Sequence, residues 1–190
     1  MKDRKLLNIE LGRLSAEAYR QKPESGIVLI LDNIRSAHNV GSAFRTADAF
    51  GVDKIYLGGI CPVPPSPELR KVALGAEEVV PFEHVTDVVD LVRRLQADGY
   101  TVIAVEQTVH SVKLDEFQVE RGICSPGLKE GRCPAEHPAR KYALIFGNEV
   151  DGVQQSVVDA ADFSLEIPQQ GTKHSLNVSV SIGVVLWGIR

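Results

Sequence analysis

Three stretches of this chain crowd polar and charged side chains against glycines. The segment "IPQQGTKHSLNVSVSIG" (167–183) places Gln169, Gln170, Lys173, His174, Ser175 and Asn177 between an apolar entry and a slick run of small and apolar residues. A turn needs one or two such groups, so six imply a surface that meets a ligand. "DNIRSAHNVGSAFR" (32–45) and "FGNEVDG" (146–152) have the same character. Glycine beside polar groups suits a ligand held partly by backbone, because the chain can approach it closely there.

The familiar alternatives find little support. No GxGxxG follows a strand-like run and no GxxxxGK[ST] occurs, which removes the usual dinucleotide and P-loop fingerprints. Cys124, Cys133 and His137 offer three possible metal ligands at loose separation, and a solvated loop carrying two thiols is the simpler reading. A Ser-His-Asp triad is recognised by geometry, so spacing assigns none.

These stretches need elements to position them. "GIVLILDN" (26–33) is a short β-rich apolar run, and "NVGSAFRTADAFG" (39–51) has Val40, Ala43, Phe44 and Ala47 at helical spacing. Asn39 stands where an N-cap belongs and Gly51 where a helix ends. "KIYLGG" (54–59) is a second strand, so the three form a βαβ unit and imply a parallel sheet. "VVPFEHV", "TVIAVE", "YALIFG" and "FSLEIP" complete a set of six strands. "DVVDLVRRLQADG" and "QQSVVDAAD" supply helices, and the fold class is α/β, a mostly parallel sheet flanked by helices. In such sheets the loops at the carboxyl ends of strands carry the ligands, and the three polar stretches sit there.

Residues 1–25 read as an N-terminal helical extension, with Leu6, Leu7, Ile9, Leu11 and Leu14 on one side. Residues 26–190 form the main domain, interrupted by a Gly-, Pro- and charge-rich surface insertion at about 115–141. From Leu176 onward apolar and small or polar residues alternate, which favours a strand. Ser175, Ser179 and Gly183 would instead make the narrow face of a helix.

Composition bounds the function. A chain of 190 residues with 44% apolar residues can bury one core. No apolar run approaches a membrane span, the start has no signal-like apolar region, and 3 unframed cysteines fit a reduced, cytoplasmic protein. A net charge of −4 argues against a basic coat but leaves room for a local RNA-binding patch.

Taken in order, the three stretches resemble the motifs of the SPOUT-class RNA methyltransferases, in the TrmH/SpoU branch that methylates ribose 2′-hydroxyls. The first is "NVGSAFRTADAFG", with Asn39 and Arg45; the second "ALIFGNEVDGV", with Gly147 and Glu149; the third "IPQQGTKHSLNVSV", with Ser175 and Asn177. The likeness covers about residues 26–187. It implies a parallel sheet whose C-terminal part forms a deep trefoil knot, and a homodimer whose active site draws on both subunits. It also implies a helix over the SLNVSV segment and S-adenosyl-L-methionine as cofactor. The cofactor would lie near Gly147, Asn148, Ile167, Pro168 and Leu176, with Glu106, Gln107 and Thr108 closing one side. Gly171 would let the chain fold over it. The substrate class would be tRNA or rRNA, with no membrane and no DNA; a non-catalytic RNA- or cofactor-binding homologue is the alternative.

By the same resemblance the catalytic set is Arg45, Asn39, Glu149, Ser175 and Asn177. A guanidinium is protonated at any working pH, so Arg45 suits orienting a phosphate and stabilising a developing alkoxide better than accepting a proton. Asn39 could serve only as a helix cap. Glu149 would orient Arg45 or Asn177, or be a solvated carboxylate. Ser175 and Asn177 could cap the last helix, and His174 reads more simply as a surface histidine than as a base. Arg35, His38 and Lys173, with Lys2, Arg4 and Lys5, are candidate phosphate contacts. Val150 and Gln169 depart from the glycine and methionine common in that family, both on the cofactor side.

Overall fold

The computed structural model describes residues 3–117 and 141–189. Seven strands, β1 (Ile27–Asp32), β2 (Lys54–Gly58), β3 (Phe82–Val85), β4 (Tyr100–Val105), β5 (Val112–Lys113), β6 (Lys141–Phe146) and β7 (Phe163–Glu166), form one sheet. Its order is β3-β2-β1-β6-β4-β7-β5, and every pairing is parallel. Side chains alternate strictly across it. Leu29 and Leu31 of β1 join a core on one face, and Val28 and Ile30 join the core on the other. A strand buried on both sides must be apolar throughout, which is why these runs show no polar alternation.

Among the described residues seven helices cover the two faces: α1 (Ala16–Arg20), α2 (Ala37–Phe50), α3 (Pro67–Ala73), α4 (Ala76–Val79), α5 (Val88–Ala97), α6 (Gln155–Ala160) and α7 (Val178–Gly188). Val88, Leu91, Val92 and Leu95 of α5 pack with Val157 of α6 against Val28, Ile30, Val102 and Ile145. On the opposite face Val40, Ala43, Phe44 and Ala47 of α2 share a core with Ile182, Val185 and Leu186 of α7. The buried spacing in α2 is the expected helical stripe, and Gly51 ends it at φ 67°.

Four expectations need correction. The N-terminal leucines do not line one helix. A 3-10 turn at Asn8–Leu11 precedes the five-residue α1, and Leu6, Leu7, Ile9, Leu11 and Leu14 are exposed. Nothing among the described residues covers them, and a helix that short gains too little without packing. Asn39 is not the cap of α2: Ser36 is, its hydroxyl accepting from the Asn39 amide at 3.3 Å. The sheet has a seventh strand, β5, only two residues long. Helices α3 and α4 occupy the link between β2 and β3, where Ser66 as cap and Pro67 in the first turn were an unread start signal. The open choice after Asn177 resolves as a helix, α7.

Most of the 115–141 insertion, with Cys124, Cys133 and His137, lies outside the described residues, as does Lys2. Among the described residues no helix is long and apolar enough to cross a membrane.

Candidate functional site

Because every strand is parallel, all carboxyl ends point to one edge. There, between the ends of β4, β6 and β7, opens a cavity of about 530 Å3. Its walls are Val105, Glu106 and Gln107 from the end of β4, Phe146 to Gly152 after β6, and Leu165, Glu166 and Ile167 at β7. Gln169, His174, Ser175, Leu176, Asn177, Val178 and Ser181 close it from the following loop and α7.

The wall after β6 is a tight reversal. The Asn148 side-chain oxygen accepts from the amides of Val150 and Asp151, both at 2.9 Å, and the Asn148 and Gly152 backbones bond each other at 3.2 and 3.1 Å. Gly152 turns at φ 68°, a conformation that favours glycine. A β-carbon on Gly147 would overlap the carbonyl carbon of Gly152, so the first glycine is needed because the chain folds back onto it. The reversal is held from below by two carboxylates. Glu106 accepts from the Val153 amide at 3.0 Å, and the fully buried Asp32 accepts from the Gln154 amide at 3.0 Å. Burial pushes the Asp32 carboxyl above its ordinary range, against the opposing pull of its bonds from Gln154 and Asn33.

Three of the residues singled out from the sequence meet at the mouth. The Asn39 side-chain amide donates to Glu149, and its oxygen accepts from the Asn177 side chain at 3.2 Å. Asn177 in turn caps α7, accepting from the Ser179 amide at 2.9 Å and hydroxyl at 2.6 Å. Asn39 is thus the hub that ties the loops after β6 and β7 to the start of α2. Glu149 bonds neither Arg45 nor Asn177; its partner is Asn39.

The other candidates divide by place. Glu106, Gln107, Gly147, Asn148, Glu149, Ile167, Ser175, Leu176 and Asn177 line the cavity, while Thr108 and Pro168 stand just outside it. Arg45, on α2, is exposed and off the lining; so are Arg35, His38 and Lys173. Among the described residues Arg35, Arg45 and Lys173 have no ion pair, whereas Lys22, Lys54, Arg70 and Arg94 elsewhere are each paired. Arg4 is also engaged, by Glu10 at 2.7 Å. Gly171 keeps a backbone open to any residue, with empty space where a β-carbon would stand, so it is not forced to be glycine.

Sequence reading missed Asp32, Gly152, Val153 and Ser181. Asp32 carried a signal, a carboxylate ending an otherwise apolar strand run. The lining is also unexpectedly acidic: Glu106, Glu149, Asp151 and Glu166 contribute four carboxylates and no lysine or arginine joins them. Such a cavity repels phosphate-bearing cofactors and favours a cation.

Comparison with known proteins agrees with this geometry. A model of the SpoU rRNA Methylase family matches residues 26–187. The chain is 29% identical over 181 residues to the 23S rRNA (guanosine-2'-O-)-methyltransferase RlmB of Coxiella burnetii, covering 95% of this chain and 64% of that protein. It is 35% identical over 167 residues to RlmB of Neisseria meningitidis, covering 86% and 57%. The chain therefore spans 57% to 64% of the length of these curated relatives. An AdoMet-bound rRNA methyltransferase from Sinorhizobium meliloti superposes with a TM-score of 0.73 at 26% identity, over 90% of this chain and 59% of that one. The A. aeolicus TrmH/SpoU tRNA modifying enzyme shares the fold, with a TM-score of 0.72 at 24% identity over 92% and 80%.

Proposed function

Because the chain belongs to the SpoU rRNA Methylase family, we propose that it transfers the methyl group of S-adenosyl-L-methionine to a ribose 2′-hydroxyl of RNA. One observation carries the reading: the hydrogen-bonded set Glu149–Asn39–Asn177 gathers the loops after β6 and β7 and the start of α2 at the mouth of an acidic cavity.

The residues present fit the cofactor. Its sulfonium and ammonium groups are cationic and suit the negative field of a lining that has four carboxylates and no lysine or arginine. Val105, Phe146, Leu165, Ile167 and Leu176 supply apolar wall for a flat base. The backbone beside Gly147 is bare because no side chain fits there. Bound there, S-adenosylmethionine supplies a methyl group on positively charged sulfur.

The chain's own residues handle the RNA. Arg45, Arg35, His38 and Lys173 are exposed, and Arg45, Arg35 and Lys173 have no ion pair among the described residues, so they are available to phosphates. Arg45 orients the phosphate and stabilises negative charge on the attacking oxygen, while Asn39 keeps Glu149 and Asn177 in register at the mouth. Ser175 lines the cavity beside them. Holding hydroxyl and methyl in line supplies about 7–11 kcal/mol of the barrier reduction available to positioned reactants.

The finer parts of the proposal are these. Residues 26–190 act as the methyltransferase domain, preceded by the 1–25 extension. The C-terminal part of the chain forms a deep trefoil knot, a reading supported by β6 entering between β1 and β4 while β7 lies beyond β4. The protein works as a homodimer in the cytoplasm. The substrate is rRNA or tRNA, since relatives named for both resemble it.

The test is transfer of labelled methyl from S-adenosylmethionine to separated, unmodified rRNA and tRNA pools, with Arg45→Ala as control. Alkali-resistant label in one pool, lost in the variant, supports the proposal and names the substrate class. Bound cofactor with no label in either pool would favour a homologue that binds without reacting.

A further inference from the structure

Two adjacent residues at the end of β4 reach two facing walls of the cavity. Glu106 uses both carboxylate oxygens on backbone amides: one accepts from Gln107 at 2.8 Å, the other from Val153 at 3.0 Å across the sheet. The carboxylate also fills the space left by the missing side chain of Gly152, where a β-carbon would overlap it. Gln107 points the other way, its side-chain amide donating to the His174 carbonyl at 2.9 Å.

That second bond matters because residues 168–177 are exposed without interruption. Between Pro168 and Asn177 the loop is fastened to the domain at His174 by Gln107 and at Asn177 by Asn39. The loop after β6 depends similarly on Glu106 and Asp32. One dipeptide therefore sets the gap between the two walls.

We propose that Glu106 and Gln107 are positioning residues, a clamp that holds the loops 147–153 and 168–177 at the spacing the cofactor needs, rather than cofactor ligands. The geometry separates Glu106 from the other acidic wall residues: Glu149 spends one oxygen on Asn39, whereas both Glu106 oxygens are spent on backbone. With each oxygen already accepting from a backbone amide, this carboxylate acts first on where the chain lies. The proposal rests on the cofactor reading above, but its structural half can be read without cofactor.

The experiment uses the full chain with Glu106→Gln, Gln107→Ala and the double substitution, in two arms. Without cofactor, hydrogen exchange at either the Val153 or the Gln107 amide should quicken at least about tenfold in Glu106→Gln, because the carboxamide offers an oxygen to only one of the two donors. Trypsin cleavage after Lys173 should quicken several-fold in Gln107→Ala. With S-adenosylmethionine, each variant should bind about tenfold more weakly by calorimetry, and the KM for the cofactor should rise by a larger factor than kcat falls. Weaker binding with unchanged exchange and cleavage would overturn the clamp and make both side chains direct ligands. Faster exchange and cleavage with unchanged affinity would overturn it too, since the wall spacing would not matter to the cofactor. If the parent protein bound no S-adenosylmethionine, the cofactor reading would fail, and exchange and cleavage would still decide whether the dipeptide holds the loops.

Discussion

Asn39 shows how much a single amide can coordinate. Its oxygen and nitrogen are both committed, one to Asn177 and one to Glu149, and neither bond is needed to start α2, because Ser36 caps that helix. Asn39→Ala should therefore leave the melting temperature within about 2 °C of the parent while lowering methyl transfer about 10–100-fold, through misplacement of the loop groups. Equal losses of stability and activity would show the residue to be structural. Asp32 makes the opposite prediction. Donors point at both of its oxygens, so Asp32→Asn sets an NH2 group against one of them and should cost about 1–3 kcal/mol in denaturant unfolding. Burial raises the Asp32 carboxyl above its unfolded value, so its favourable contribution is full below the unfolded pKa and is lost as pH rises through the folded one. The stability of the parent relative to Asp32→Asn should thus improve as pH falls through that window.

At the scale of elements, what the sequence shows depends on where the information lies. The βαβ unit was legible because β1, α2 and β2 each carry their own periodicity and terminators. α7 was not, because it is apolar nearly all round: Val178, Ile182, Val185 and Leu186 face the core, and Val180 and Trp187 face outward, so no stripe remains to count. Its helix is set by Asn177 capping and by packing on α2, which spacing alone does not display. β5 was too short to announce itself. Asn39, Glu149 and Asn177 could be picked by resemblance, but not their bonding, since the partners lie 110 and 138 residues apart. The clamp at Glu106 was hidden for the same reason, its partner being backbone at Val153. The link before β1 illustrates an element held by one side chain. Asp53 accepts from Lys22 at 2.8 Å and from the amides of Ser25 and Gly26 at 2.8 and 2.7 Å. Burial alone would raise its pKa, but these bonds together lower it, so its stabilisation is present above the unfolded value and lost as pH falls through the folded one. Asp53→Ala should cost about 2–4 kcal/mol at neutral pH, and the cost should shrink as pH falls through the folded-state pKa in paired unfolding measurements.

At the scale of the molecule, the apolar outer face of α7 bears on the proposed homodimer. Val180 is 50% exposed and Trp187 is 72% exposed, on a helix whose other side is core. A single exposed apolar residue is ordinary, but two on the face of one nearly uniformly apolar helix mark a surface that gains by being covered. Asn177 caps α7, so whatever covers the helix also fixes the cap that meets Asn39 and, through it, Glu149. Association and catalysis are then linked: the dimer would stabilise the arrangement at the mouth by mass action. Trp187 is the chain's one tryptophan, which makes the prediction readable without a label. Its emission should be that of a shielded indole at micromolar concentration and shift to the red on dilution, in step with the sedimentation change from dimer to monomer. Val180→Asp should move both transitions to at least about tenfold higher concentration, because a charge must be buried in the interface, and should lower methyl transfer in parallel. Emission independent of concentration, with the monomer mass throughout, would show that α7 keeps its outer face in water and that the mouth of the site is complete in one chain.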